Sequence, residues 1–214
     1  MAGYLVNFGD SWAHGDGHLV RNHDLQYSQL LAGALGRELI DLSVPSTSIS
    51  HLVLQFRQFV QDHYEPGRDY LALFFVTAQQ RQLAFSDTGR ALEINPNHAK
   101  YQTYYETVYT EQLGTFTSNT ALMTLGALCR YYGITDRYIL GWQPLTLWPE
   151  HDRSRFYGFG QTTAMHLLGE DNIVQCANTR NPNFIQGDGH PSVKGHALLA
   201  ALLRQWLTTD SNSV

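Results

Sequence analysis

The chain has 214 residues, 43% of them hydrophobic and 15% charged, with 14 basic against 19 acidic side chains and a formal charge of −5. That balance belongs to a globular chain rather than a disordered one, and the length suffices to bury roughly 70% of the unfolded surface around one core. No basic run stands out, which sets nucleic acid aside as a partner, and no apolar stretch approaches the ~18 residues of a membrane span. The first apolar stretch, residues 4–8, follows Met1 with no basic leader, so a cytoplasmic chain without a classical secretion signal is expected. Cys129 and Cys176 lack any CxxC or Cys/His spacing; two buried thiols are expected, with a single disulfide as the alternative.

Tyr4–Phe8 reads as a short buried strand. Asp24 can cap a helix whose apolar positions Leu30, Leu31, Ala34 and Leu35 share one face, with Gly36 near its end. Leu39–Leu42 reads as a second strand. Ile49, Leu52, Val53, Phe56, Phe59 and Val60 then follow helical spacing up to the Pro66–Gly67 turn. The apolar run Tyr70–Val76 predicts a central parallel strand covered on both faces. A polar loop over 77–97 leads into a tyrosine-rich helical region from His98 to Tyr132, with a break expected near Gly114.

Tyr138–Trp142 is the fourth predicted strand, followed by a loop rich in Trp, Pro and Arg and a short helix near 161–168. Ile173–Cys176 is the fifth. Ser192 can cap a last helix through Ala197, Leu198, Ala201, Leu202 and Leu207. Alternating strands and helices predict a three-layer α/β/α sandwich, flavodoxin-like, with a mostly parallel sheet of about five strands. Residues 1–208 read as one domain and 209–214 as a polar tail.

In an open sheet of this kind, ligands bind beyond the carboxyl ends of the strands. Gly9, Asp10 and Ser11 fall there, directly after the first strand. A serine hydroxyl becomes a useful nucleophile only when a positioned base takes its proton. Near the other end, in "GDGHPSVKGHALLA" (187–200), Asp188 and His190 precede the last helix. In an extended loop, residues two apart project to the same side, which would set this carboxylate beside this imidazole.

With Gly-Asp-Ser after the first strand and Asp…His-Pro before the final helix, the chain resembles the SGNH (GDSL-type) hydrolases over nearly its whole length. The resemblance implies a serine ester hydrolase with Ser11 as nucleophile, His190 as base and Asp188 orienting the imidazole, and no cofactor. It implies an oxyanion hole from the N–H groups of Ser11 and Ser46 and the side chain of Gln79, with Thr77 as the alternative donor. The sequence departs from the family pattern at three places. One residue, not two, separates Asp188 from His190; Ser46 stands where the second block has glycine; and Thr77–Gln80 replace the usual Gly-x-Asn-Asp.

The resemblance leaves the substrate open. The expected partner is a small ester, with an acetyl group on a carbohydrate favoured by the polar, aromatic mouth, and the oligomeric state is left open. Trp12, Trp142 and His14 are candidate substrate contacts; Trp142 and Trp148 are placed to stack on a sugar or acyl group or, equally, to pack in the core or anchor their loop. His14, Asp16, His18 and His23 form a competing zinc-type constellation, weakened by the glycines at 15 and 17. Asp10 is expected to hold the loop, and Arg81 and Arg155 to face solvent or an anionic substrate. A binding or structural module on the same fold, and an acyltransferase, are the alternatives to hydrolysis.

Overall fold

The computed structural model describes residues 3–15, 23–171 and 173–210. Its main sheet is built around β3 (Tyr70–Val76), all seven residues of which are buried. β1 (Tyr4–Phe8), β2 (Glu38–Asp41) and β6 (Thr135–Leu140) complete a parallel sheet in the order β2-β1-β3-β6. Successive side chains on a strand point to opposite faces, so the apolar run of β3 feeds two cores. Ala72, Phe74 and Val76 join one cluster with α3 (His51–Asp62) and α5 (Glu111–Tyr132). Leu71, Leu73 and Phe75 join the other with α2 (Tyr27–Leu35) and α8 (Val193–Asp210). This is the three-layer α/β arrangement that the pattern predicts.

The register aligns Phe8, Phe74 and Tyr138 across three strands. Their rings stack at 4.7 and 5.1 Å, and Phe156 continues the ladder at 4.7 Å from Tyr138. Aromatic pairs of this kind add about 0.5–1.5 kcal/mol each beyond the area they bury.

The sheet differs from expectation at its edge. Ile173–Cys176 is not a strand but the start of α7 (Ile173–Asn178). The edge of β6 is occupied instead by two isolated parallel bridges, Tyr138 to Phe156 and Leu140 to Thr163. A four-residue apolar run is compatible with either state, and here the place beside β6 is already filled. β6 also begins earlier than predicted, because its polar start carries Asp136, buried through Arg155 Nη1 at 2.5 Å and Tyr138 Oη at 2.8 Å. Arg155 therefore serves the fold, not solvent.

Three further boundaries move. The 77–97 loop contains an antiparallel hairpin of β4 (Gln82–Phe85) and β5 (Ala91–Ile94). It is pinned to α3 by His51 Nδ1 and Glu93 Oε1 at 2.6 Å. The helical break falls between α4 (Gln102–Thr107) and α5, where Thr110 caps α5 by accepting from the Leu113 N–H at 3.1 Å. Gly114 is carried inside α5, where a Cβ would run into the Tyr109 hydroxyl. Asp24 lies in a 3-10 turn, His23–Leu25, and Gln26 rather than Asp24 precedes α2. α8 continues to Asp210, past the predicted start of the tail. Between these comes α6 (Ala164–Leu167), within the predicted 161–168 helix. Both cysteines are free and buried, Cys129 in one core and Cys176 in the other. Among the described residues no helix is long and apolar enough to cross a membrane.

α2 and α8 meet through His196, which is fully buried and accepts the Tyr27 N–H on Nδ1 at 3.3 Å. Burial, and secondarily the neighbouring His190, pushes its pKa down from 6.5 to about 4. A base whose folded pKa is depressed leaves the unfolded chain holding more protons between those two values. Its contribution is therefore complete above pH 6.5 and is lost as pH falls to about 4, by about 3 kcal/mol in all. His196→Asn keeps an acceptor for the Tyr27 N–H without a titrating ring. Urea denaturation across this range is expected to give a flatter stability–pH curve for the variant; curves of equal slope would exclude His196 as the acid-sensitive group.

Candidate active site

The carboxyl end of β1 turns at Gly9, which is gripped from three sides. Its N–H donates to Gln55 Oε1 at 3.1 Å, and its carbonyl accepts from Gln55 Nε2 at 3.0 Å and Thr47 Oγ1 at 3.1 Å. A Cβ here would lie 2.5 Å from that of Ala13 and 2.8 Å from that of Phe75, so only glycine lets the loop lie this close to β3. Asp10 then caps the single turn α1 (Ser11–His14) by accepting the Trp12 N–H at 3.0 Å. Ser11, 9% exposed, follows at the start of that turn.

The C-terminal loop brings the expected partners to the same place. His190 Nε2 lies 3.0 Å from Ser11 Oγ, and His190 Nδ1 lies 2.6 Å from Asp188 Oδ1. The reason is not the extended loop expected from the spacing. Gly189 has a φ of 82° and its N–H donates to the Ile185 carbonyl at 3.1 Å, while the Ile185 N–H donates to the His190 carbonyl at 2.9 Å. This left-handed turn folds 185–190 back on itself and so joins a carboxylate and an imidazole separated by one residue. Ser192, as expected, caps α8 by accepting the Gly195 N–H at 3.2 Å. With its proton on Nδ1, facing the carboxylate, the imidazole presents a lone pair on Nε2 to the serine hydroxyl.

The expected oxyanion donors are less simply arranged. Ser46 adopts a φ of 64°, the left-handed conformation that suits glycine, and its loop is tied to the Ser11 loop by the Val44 N–H donating to the Gly9 carbonyl at 2.9 Å. The Gln79 amide instead donates to Glu111 Oε2 at 2.6 Å on the exposed surface. Thr77 donates its one hydroxyl proton to Asp10 Oδ2 at 2.7 Å. From three residues beyond β3 the long Gln79 side chain reaches Glu111 at the start of α5.

The expected substrate contacts are redistributed. Trp12 is 1% exposed and packs among Phe75, Trp142 and Phe184, since α1 turns it inward; it belongs to the core. Trp142 donates its indole N–H to Asp10 Oδ2 at 3.0 Å and so anchors the loop. His14 is half-buried, with Nδ1 3.5 Å from Ser43 Oγ. Asp16 and His18 lie outside the described residues, as does the side chain of His23; among the described residues no group of three or more His, Cys, Asp or Glu is placed to hold a metal.

Arg81 is not solvated: its Nη1 pairs with Asp10 Oδ2 at 2.9 Å. Gln55 and Thr47, which hold Gly9, stand in no motif of the sequence. A glutamine between Leu52 and Phe56 on the apolar stripe of α3 is the one signal that could have found the first.

No family model matches the sequence, and no curated protein matches it. Solved structures do match in fold. A catalytic mutant of an acetylxylan esterase from Geobacillus stearothermophilus aligns with a TM-score of 0.51 at 14% identity, over 97% of this chain and 95% of its own. A structure reported for a carbohydrate esterase active site with divergent catalytic and non-catalytic binding functions gives 0.54 at 12% identity, over 97% of this chain and 65% of its own. A member of the lipolytic protein G-D-S-L family from Veillonella parvula DSM 2008 gives 0.49 at 11% identity, over 97% and 99%. At TM-scores of 0.51 and 0.54, the chain shares the three-layer fold of the two esterase structures.

The left-handed Ser46 gives a direct test of the second loop. Ser46→Gly is expected to hold or raise stability by up to about 1 kcal/mol, and Ser46→Val to lower it by about 1–2 kcal/mol, in urea denaturation. A valine variant as stable as the parent would mean that the loop does not hold this conformation.

Proposed function

We propose that the chain is a serine ester hydrolase that removes a small acyl group, an acetyl group above all, from a carbohydrate or another small ester. The observation that carries this reading is the unbroken hydrogen-bonded run from Asp188 Oδ1 through His190 to Ser11 Oγ, at 2.6 and 3.0 Å. In this mechanism Ser11 Oγ attacks the ester carbonyl carbon while its proton passes to His190 Nε2. The tetrahedral intermediate collapses by breaking the carbon–oxygen bond to the alcohol, which takes the proton from the imidazolium. Water then attacks the acyl-serine by the same route in reverse and releases the acid. Asp188 fixes the imidazole tautomer and stabilises its positive charge. The Ser11 and Ser46 N–H groups are the proposed donors to the oxyanion.

The carbohydrate side of the reading is supported at the same edge of the sheet. Phe116, 58% exposed, and Trp148 meet at 5.8 Å beside Glu111 and enclose a shallow hollow of about 300 Å³. Aromatic rings beside a carboxylate suit a sugar ring, whose C–H face stacks while its hydroxyls donate. The second reading, a non-catalytic binding module, is favoured by one observation: Gln79 and Thr77 both commit their donors to carboxylates, those of Glu111 and Asp10.

Purified protein is expected to turn over p-nitrophenyl acetate and to be labelled on Ser11 by a fluorophosphonate. Ser11→Ala abolishes both without changing the melting temperature, since it removes a hydroxyl and no core volume. Asp188→Asn lowers kcat by on the order of a thousandfold, because it favours the wrong imidazole tautomer and removes the compensating charge. A silent Asp188→Asn beside a dead His190→Ala would reduce the machinery to a dyad. No turnover and no labelling of the parent would favour the binding module.

A further inference from the structure

Arg81 lies at the centre of the loops around Ser11, although nothing in the proposed mechanism calls on it. Its side chain is 12% exposed. Nη1 is 2.9 Å from Asp10 Oδ2, 3.1 Å from Thr77 Oγ1 and 3.4 Å from the Thr47 carbonyl. The guanidinium carbon sits 5.3 Å from the Trp142 ring centroid, and that same indole donates to Asp10. We propose that Arg81 is a positioning residue for Ser11, cancelling the buried charge of Asp10 and tying together the loops that carry Ser11, Ser46 and Thr77. The inference rests on the hydrolase reading above.

Two physical effects are combined in one side chain. Asp10 is fully buried and adjoins the nucleophile. An uncompensated carboxylate there would oppose the negative charge that develops on the ester oxygen during attack, in a site where water screens little. A guanidinium beside it removes that opposition before the reaction starts. The second effect is geometric. Thr47 adjoins Ser46 and donates through its hydroxyl to the Gly9 carbonyl, so Arg81, Thr47, Gly9 and Asp10 form a closed ring of contacts across two loops. One nitrogen, Nη1, meets acceptors on both loops while the weakly hydrated guanidinium lies over the Trp142 ring; the strongly hydrated ammonium of a lysine suits so buried a place and that ring less well.

The test compares the parent with Arg81→Met, Arg81→Lys, Asp10→Asn and the double variant Asp10→Asn/Arg81→Met. The readouts are kcat and KM on p-nitrophenyl acetate, the rate of fluorophosphonate labelling of Ser11, and the melting temperature. Arg81→Met is expected to lower kcat and the labelling rate by about a hundredfold with KM within about threefold, the signature of lost transition-state stabilisation. The double variant, in which no buried charge remains, recovers about tenfold of that loss, and Arg81→Lys falls between parent and Arg81→Met. An active parent with Arg81→Met at parental kcat overturns the proposal and leaves the hydrolase reading standing. So does a double variant no faster than Arg81→Met, which would make the arginine a scaffold residue only. Should Arg81→Met fail to fold, Arg81→Lys decides: a fall in kcat at unchanged KM and melting temperature supports the role, and parental kcat overturns it. A parent that neither turns over ester nor takes the label overturns both readings together.

Discussion

A carboxylate removed from water has to be compensated where it stands, and Asp10 is removed completely. Its four donors are the Trp12 N–H, the Thr77 hydroxyl, the Arg81 guanidinium and the Trp142 indole N–H. They come from the turn after β1, the end of β3, the approach to the hairpin and the loop after β6. Because each donor is fixed to the end of a different part of the fold, satisfying one side chain aligns the carboxyl ends of three strands. The arrangement of the site follows from that alignment, with Ser11 displayed at the one point where these loops converge.

The site therefore contains two carboxylates with opposite environments. Asp10 is sealed and surrounded by fixed donors; the Asp188 side chain is 14% exposed and sits in a turn of the C-terminal loop. The first cannot follow charge changes during a reaction, since its partners are locked in the core. The second faces the imidazole from a partly exposed turn and, in the proposed reaction, can respond to the charge that the imidazole gains. Sequence proximity pairs Asp10 with Ser11, whereas the hydrogen bonds link Asp188, through His190, to Ser11.

What could be read from residues alone follows the range of the interactions involved. Tyr70–Val76 was legible because both faces of that strand are buried, so its composition declares it. The meeting of Ser11, Asp188 and His190 was legible because each stands in a short local pattern beside a strand end or helix start. Arg81 was not, since its pairing with Asp10 spans 71 positions and depends on the hairpin that β4 and β5 form. Ile173–Cys176 misled for a related reason: strand or helix was decided by whether the edge of β6 was vacant, which no local window contains. Gln79 has the right chemistry for a donor, but one extra methylene brings Glu111 within its reach.

The segment that lies along β6 has a consequence for how the molecule meets copies of itself. A bare parallel edge offers a row of unpaired amides and carbonyls on which a foreign strand can grow. Among the described residues strand-like pairing is made there at Phe156 and Thr163, and between them Gly158, Phe159 and Gly160 all take positive φ. A chain curled that way has no pleat to present, so this side of the sheet ends in a surface that cannot template another strand. The irregular border thus works as a stop, giving the sheet a finite width at the side where a regular fifth strand would have exposed a new edge.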